Sequence, residues 1–203
     1  VPENKDPDRI ASVDLGVENL MAVTNNCGLP CILYKGGPLK SVNQYYNKEI
    51  ARIVSEQTKG TNKKFVPTPE SQKITRYRNN SIKDNIHKYA KHLIKWCTDN
   101  NIDTLVLGAN KLWKQEVNLG RKNNQNFVQL PFYLLRQTIQ YLCEENGINY
   151  VETEESYTSK ASFLDNDPIP VYDGENHNYR FSGKRRPTKY KGMYKKDGFR
   201  GLY

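Results

Sequence analysis

The segment Ile10-Ala11-Ser12-Val13-Asp14-Leu15-Gly16-Val17 decides how this chain is read. It reads as a short buried strand that closes on an acidic residue and then turns tightly at Gly16. Leu20-Met21-Ala22-Val23-Thr24 reads as the next strand. A carboxylate at the end of a central strand is costly to bury without a metal, a cation or a hydrogen-bond network. Spacing alone leaves two readings of Asp14 open: a functional acid, or a residue that caps the turn.

Further along, Asn25-Asn26-Cys27-Gly28 supplies turn chemistry before a third strand, so residues 9–35 read as three successive strands. Gly36-Gly37-Pro38 breaks the sheet. Ser41 is an N-cap candidate for a helix with Val42, Tyr45, Tyr46, Ile50, Ile53 and Val54 near one face. Residues 57–73 are polar and read as a loop. Ser81 with Asp84 resembles a capping box, and Ile82, Ile86, Ala90, Leu93 and Cys97 recur at helical spacing behind it. Lys83, Lys88, Lys91 and Lys95 line the opposite face. They make either a solvated face or, with Arg76 and Arg78, a surface for phosphates.

Thr104-Leu105-Val106-Leu107-Gly108 is a continuous apolar run, which suits a strand buried on both faces. A polar loop over 109–130 separates it from a helix opened by Pro131, with Leu134, Leu135, Ile139, Leu142 and Cys143 on its apolar face. Asn146-Gly147 ends that helix, and Ile148-Asn149-Tyr150-Val151 reads as a strand. Three antiparallel strands followed by helix, strand, helix and strand make an α/β layout with a mixed sheet and right-handed crossovers. Residues 1–8 read as a linker, 9–163 as the α/β domain, and 164–203 as an irregular basic C-terminal segment.

Composition narrows the function. The 203 residues hold 31 Lys and Arg against 22 Asp and Glu, a formal charge of +9. Such an excess favours a polyanionic partner, most simply nucleic acid. Hydrophobic residues make up 36% of the chain, enough for one core because they are clustered. There is no apolar run of about 18 residues for a membrane helix, and a secretory signal is not expected. The start at Val1 is expected to mark a piece of a longer protein. Cys27, Cys31, Cys97 and Cys143 lack paired metal-ligand spacing, so they read as reduced thiols of a cytoplasmic protein. Near the C-terminus, Lys184, Arg185, Arg186, Lys189 and Lys191 alternate with Tyr190, Tyr194 and turn formers. Such a stretch offers cations to phosphates and rings to bases, or is a basic tail.

Four stretches together resemble a known family. They are Ser12-Val13-Asp14-Leu15-Gly16-Val17-Glu18-Asn19-Leu20; Lys40-Ser41-Val42-Asn43-Gln44-Tyr45-Tyr46-Asn47-Lys48; Trp113-Lys114-Gln115-Glu116 with Asn123-Asn124-Gln125; and Glu154-Glu155-Ser156-Tyr157-Thr158-Ser159-Lys160-Ala161-Ser162. They resemble the RuvC-like nuclease region of OrfB/TnpB-type proteins of bacterial insertion sequences, relatives of type V CRISPR effector nucleases. The resemblance implies an RNase H-like (RuvC-like) mixed sheet and a metal-dependent DNA endonuclease guided by RNA. It implies carboxylates on one sheet edge that hold Mg²⁺ or Mn²⁺, with DNA and a guide RNA as partners.

The chain departs from the family at three places. Where relatives carry a catalytic Glu, at the end of the strand over 104–108, it has Gly108. Glu155 is the expected replacement as catalytic residue and metal ligand beside Asp14, with Glu154 and Glu116 as rivals. The zinc-ribbon cysteines of the family do not occur after Cys143, so zinc is not expected. The family's third catalytic Asp follows a Gly-Leu-Tyr-like stretch, and here Gly201-Leu202-Tyr203 ends the sequence, so that ligand is expected beyond Tyr203. These departures keep two alternatives alive: an inactive nucleic-acid-binding module of the same family, and a strand-transferring transposase.

Overall fold

The computed structural model describes residues 8–60, 63–108, 130–158, 161–162, 165–171 and 177–182, with the backbone of 193–196 and 199–202. The chain forms two compact units, Val1–Gly108 with Leu112–Glu152, and Ala109–Lys111 with Thr153–Tyr203.

The first unit is built on a five-stranded sheet. Strands β1 (Ile10–Leu15), β2 (Asn19–Asn25) and β3 (Ile32–Lys35) are followed, after two helices, by β4 (Thr104–Gly108) and β5 (Asn149–Thr153). Their spatial order is β3-β2-β1-β4-β5. β1 runs antiparallel to β2, β2 antiparallel to β3, and β1 parallel to β4. The leading ends of β1, β4 and β5 line up through Asp103 N donating to Arg9 O at 2.9 Å and Asn149 N donating to Asp103 O at 2.8 Å. This is the RNase H-like mixed sheet that the sequence led us to expect.

β1 is the middle strand, and its period of two sorts its side chains. Ala11, Val13 and Leu15 are buried, while Asp14 is exposed on the other face. The register carries both rows across the sheet. Val13 pairs with Val23 and Leu107, and Leu15 with Met21, so these buried residues share one face. Asp14 pairs with Ala22, which in turn pairs with the half-exposed Leu33 on the open face. The covered face meets helix α2 (Pro69–Asp99), because buried Tyr34 of β3 places its hydroxyl 2.8 Å from His92 Nδ1.

That arrangement changes the expectation for β4. β1 buries one face. β4 alternates in the same way: Leu105 and Leu107 are fully buried and Val106 only half-buried. A strand whose second face is not covered needs apolar residues on one row only.

Both helix starts differ from the sequence reading. Helix α1 (Gly37–Thr58) begins at an N-cap on Gly36, not at Ser41. Pro38 fits the first turn because its missing N–H has no intrahelical partner there anyway. α2 begins at Thr68, not Ser81. Ser71 N donates to Thr68 Oγ1 at 3.1 Å and Thr68 N donates to Ser71 Oγ at 2.9 Å, a reciprocal cap that fixes the first turn. Residues 69–81 carry few apolar side chains, so hydrophobic periodicity gave no sign of this polar start. Helix α3 (Phe132–Glu145) packs on α2 and buries Phe132, Leu135, Ile139, Leu142 and Cys143. It ends before Gly147, whose φ of 63° is the left-handed conformation glycine adopts at low cost. Cys97 and Cys143 lie on buried helix faces as read from their spacing.

In the second unit, the turn after β5 closes through Thr158, whose N and Oγ1 donate to Glu155 O at 3.3 and 2.9 Å. Asp167 then gathers the chain. Its carboxylate accepts from Ser162 N, Ser182 N and Ser182 Oγ at 2.6–2.8 Å. Tyr157 stacks on Phe181 at 5.4 Å. The C-terminal segment is not wholly irregular as expected: β6 (Met193–Lys196) and β7 (Phe199–Leu202) pair as an antiparallel hairpin.

Candidate metal centre and nucleic-acid surface

Asp14 stands near the carboxyl end of the middle strand. The turn behind it is held tightly. Gly16 N donates to Leu20 O at 3.3 Å, and a Cβ on Gly16 would lie 2.8 Å from Asn19 O. Only glycine fits that approach. The Asp14 side chain makes no hydrogen bond or ion pair with a described residue. The residue is solvent-accessible, yet the surrounding sheet desolvates its carboxyl and raises its pKa above the ordinary 3.8. An unpartnered carboxylate in that setting suits a divalent cation, which prefers oxygen ligands. The fit is that of one ligand, because no group of three His, Cys, Asp or Glu positioned to hold a metal occurs among the described residues.

The register explains what Gly108 removes. Leu107 pairs with Val13, so Gly108, the next residue along parallel β4, stands beside Asp14. A carboxylate at that strand position would be Asp14's direct neighbour, and this chain has no side chain there.

The acids near β5 are of three kinds. Glu152 is committed: it takes hydrogen bonds from Arg136 and from Tyr150 Oη. Burial raises its pKa, but the hydrogen bonds from Arg136 and Tyr150 and the Arg136 charge outweigh that and hold it below the ordinary carboxylate range. Glu154 accepts from Ser156 Oγ. Glu155 is half-buried at the start of the turn closed by Thr158. Glu154 and Glu155 belong to the second unit and Asp14 to the first. The remaining rival, Glu116, lies outside the described residues.

The proposed phosphate-facing cations also separate. Arg78 is held within the helical hairpin. Its Nε donates to Asn43 Oδ1 of α1 at 2.8 Å, its Nη1 donates to Asn79 Oδ1 at 2.9 Å, and its guanidinium lies 5.6 Å from the centre of the Tyr46 ring. Buried Asn43 needs such a donor. Arg76 is exposed and makes no hydrogen bond or ion pair with a described residue. On the outer face of α2, Lys88 pairs with Asp84 and Lys95 with Asp99, each four residues apart, while Lys83 and Lys91 are exposed. Lys184, Arg185, Arg186, Lys189 and Lys191 lie outside the described residues.

Sequence reasoning missed a cavity of about 630 Å³ between α1, the connection over 63–68 and the start of α2. Tyr46, Phe65, Gln72 and Arg76 are among its walls. The signal was present in Thr68-Pro69-Glu70-Ser71, an N-cap residue followed by proline, which places a helix inside the stretch read as loop.

No curated protein matches the sequence. The chain is similar to a protein in the cryo-EM structure of the Cas12f1–sgRNA–target DNA complex. That match has 14% identity and a TM-score of 0.58, over 79% of this chain and 39% of the other. It is also similar to a protein of the CRISPR–Cas12f ternary complex, at 16% identity and a TM-score of 0.60, over 80% of this chain and 32% of the other. The chain thus spans between 32% and 39% of the length of those proteins, and what it shares with them is the fold. The sequence model of the OrfB IS605 family, described as a probable transposase, matches residues 1–114. With more than half of its length matched, the chain belongs to this family of probable transposases.

Proposed function

We propose that this chain is the RuvC-like part of a metal-dependent, RNA-guided DNA endonuclease. The observation that carries the reading is Asp14: a partly desolvated carboxylate, without a partner among the described residues, near the carboxyl end of the middle strand of an RNase H-like sheet. Family membership and a fold shared with proteins of the Cas12f complexes, one of which holds sgRNA and target DNA, support it. The charge of +9 suits those partners.

In this reading Asp14 would hold a Mg²⁺ or Mn²⁺ ion. When bound, such an ion supplies the polarised water and the charge stabilisation that phosphodiester hydrolysis needs. The role of the chain is to fix the Asp14 carboxylate. Strand pairing on both sides of β1 and the tight turn at Gly16 do so. Arg76, Lys83 and Lys91, exposed and without an ion-pair partner among the described residues, present positive charge to phosphates, and the basic stretch Lys184 to Lys191 adds more.

Cleavage of a target plasmid by the guide-loaded protein in Mg²⁺ tests the proposal. Wild type should cut, and Asp14→Ala should cut at least ~100-fold more slowly, the scale on which positioned catalytic groups act. Equal cutting by both would sink it. Gly108 beside Asp14 favours a second reading, a module that binds target without cutting. That reading expects retained target binding and no cleavage by either protein.

A further inference from the structure

We propose that the cavity between α1 and the start of α2 is a nucleotide-binding subsite, taking one base and its phosphate from a single-stranded segment. The inference deepens the nucleic-acid reading above and rests on it for the identity of the partner.

The walls of the cavity supply the three kinds of contact a nucleotide needs. Tyr46 and Phe65 offer rings to a base face. Gln72 and Asn80 offer carboxamides, which both donate and accept, to a base edge. Arg76 offers a guanidinium without a carboxylate partner among the described residues, and such a fork matches phosphate oxygens. A volume of about 630 Å³ lies in the range of small-ligand sites. Arg78 keeps Tyr46 in place through its contact with the ring while bonding Asn43 across the hairpin.

A neighbouring groove shows why this cavity is the one chosen. It is lined by Tyr45, Glu49, Glu70, Lys73, Ile74 and Tyr77, so it too has rings and a cation. Its walls, however, also carry two carboxylates, Glu49 and Glu70, which outnumber Lys73 and both bind Arg52, so the groove has no excess positive charge. Rings alone do not separate the two sites; the charge of their walls does, Arg76 being the one charged residue among the described residues that line the chosen cavity.

The test is fluorescence anisotropy of labelled single-stranded twelve-mers, one RNA and one DNA, with the 203-residue chain in EDTA over a series of salt concentrations. Without divalent metal the result is independent of cleavage, so this subsite and the nuclease reading fail or stand separately. Arg76→Ala should weaken binding about fivefold or more and reduce the salt slope by about one phosphate contact. Phe65→Ala should weaken binding about fivefold with the slope unchanged, because a stacking contact releases no counterion. Lys73→Ala, in the neighbouring groove, should change affinity less than twofold. Phe65→Trp should restore binding and show indole quenching on addition of the twelve-mer, which a merely misfolded Phe65→Ala would not explain. Loss with either probe supports the subsite and names the strand it takes. Loss with neither, or equal losses for Arg76→Ala and Lys73→Ala, overturns it.

Discussion

Replacing Gly36 by alanine should destabilise the fold far more than the same change one residue later. Gly36 has φ of −78° and ψ of −4°, which alanine adopts freely, so backbone preference is not the obstacle. The obstacle is space. A Cβ on Gly36 would sit 2.3 Å from Val17 O and 3.3 Å from Val17 C, with Glu18 O at 3.4 Å. The first distance is about 1 Å inside ordinary van der Waals contact. Val17 O cannot swing away cheaply, because Gly36 N donates to Glu18 O at 2.9 Å and Lys40 Nζ pairs with Glu18 across the same joint. Relief requires moving the turn that follows β1. Overpacking of this kind costs ~1–3 kcal/mol, and the lost hydrogen bond ~1 kcal/mol more. The expected total is ~2–4 kcal/mol, a large part of the usual margin of a folded domain. Urea unfolding measures it as a lower midpoint at unchanged slope. Gly37→Ala is the control: nothing lies within 4 Å of its Cβ, and it should fall within ~0.5 kcal/mol of wild type or gain slightly. If the two variants unfold at the same urea concentration, the close approach of Gly36 to Val17 is wrong.

Two further outcomes follow from the same structure. Thr68→Ala removes the reciprocal cap of α2 and should cost ~1 kcal/mol in urea unfolding, whereas Ser81→Ala, which the sequence reading would make the cap, should cost no more than ~0.5 kcal/mol. Burial raises the Asp14 pKa, so the folded chain holds that proton more tightly than the unfolded chain does. In EDTA, stability should therefore fall as pH rises from the ordinary 3.8 through the raised value, and Asp14→Asn should abolish that part of the fall and raise Tm at neutral pH. Equal thermal unfolding of the two proteins at pH 3 and pH 7 would show that the carboxyl is not desolvated.

The sheet was legible because its information is local. Alternation in β1 and β2 and the Asn-rich turn before β3 act within a few residues. Covering of the sheet is not local. The apolar run at Leu105 to Leu107 reads the same whether one face or two are covered, and the structure settles it through the register with β1. The start of α2 escaped because its first three turns hold onto α1 with polar groups, Arg78 to Asn43 among them, rather than with an apolar stripe. Pro38 took the helix start from Ser41 for a similarly local reason that hydrophobic pattern does not carry. As for the site, the position of Asp14 followed from strand period and turn. Its missing neighbour did not, because only the pairing of β1 with β4, some 90 residues apart in sequence, puts Gly108 beside it.

That pairing leaves Asp14 as the one acid the account cannot do without. The most direct measurement is Mn²⁺ binding by the chain, followed by the loss of the free-ion signal in electron paramagnetic resonance, for wild type and Asp14→Asn side by side. Wild type should bind the ion, and the substitution should weaken binding about tenfold or more, at least the loss seen when a supporting group of a metal site is removed. Equal Mn²⁺ affinity for the two proteins would contradict a metal site at Asp14.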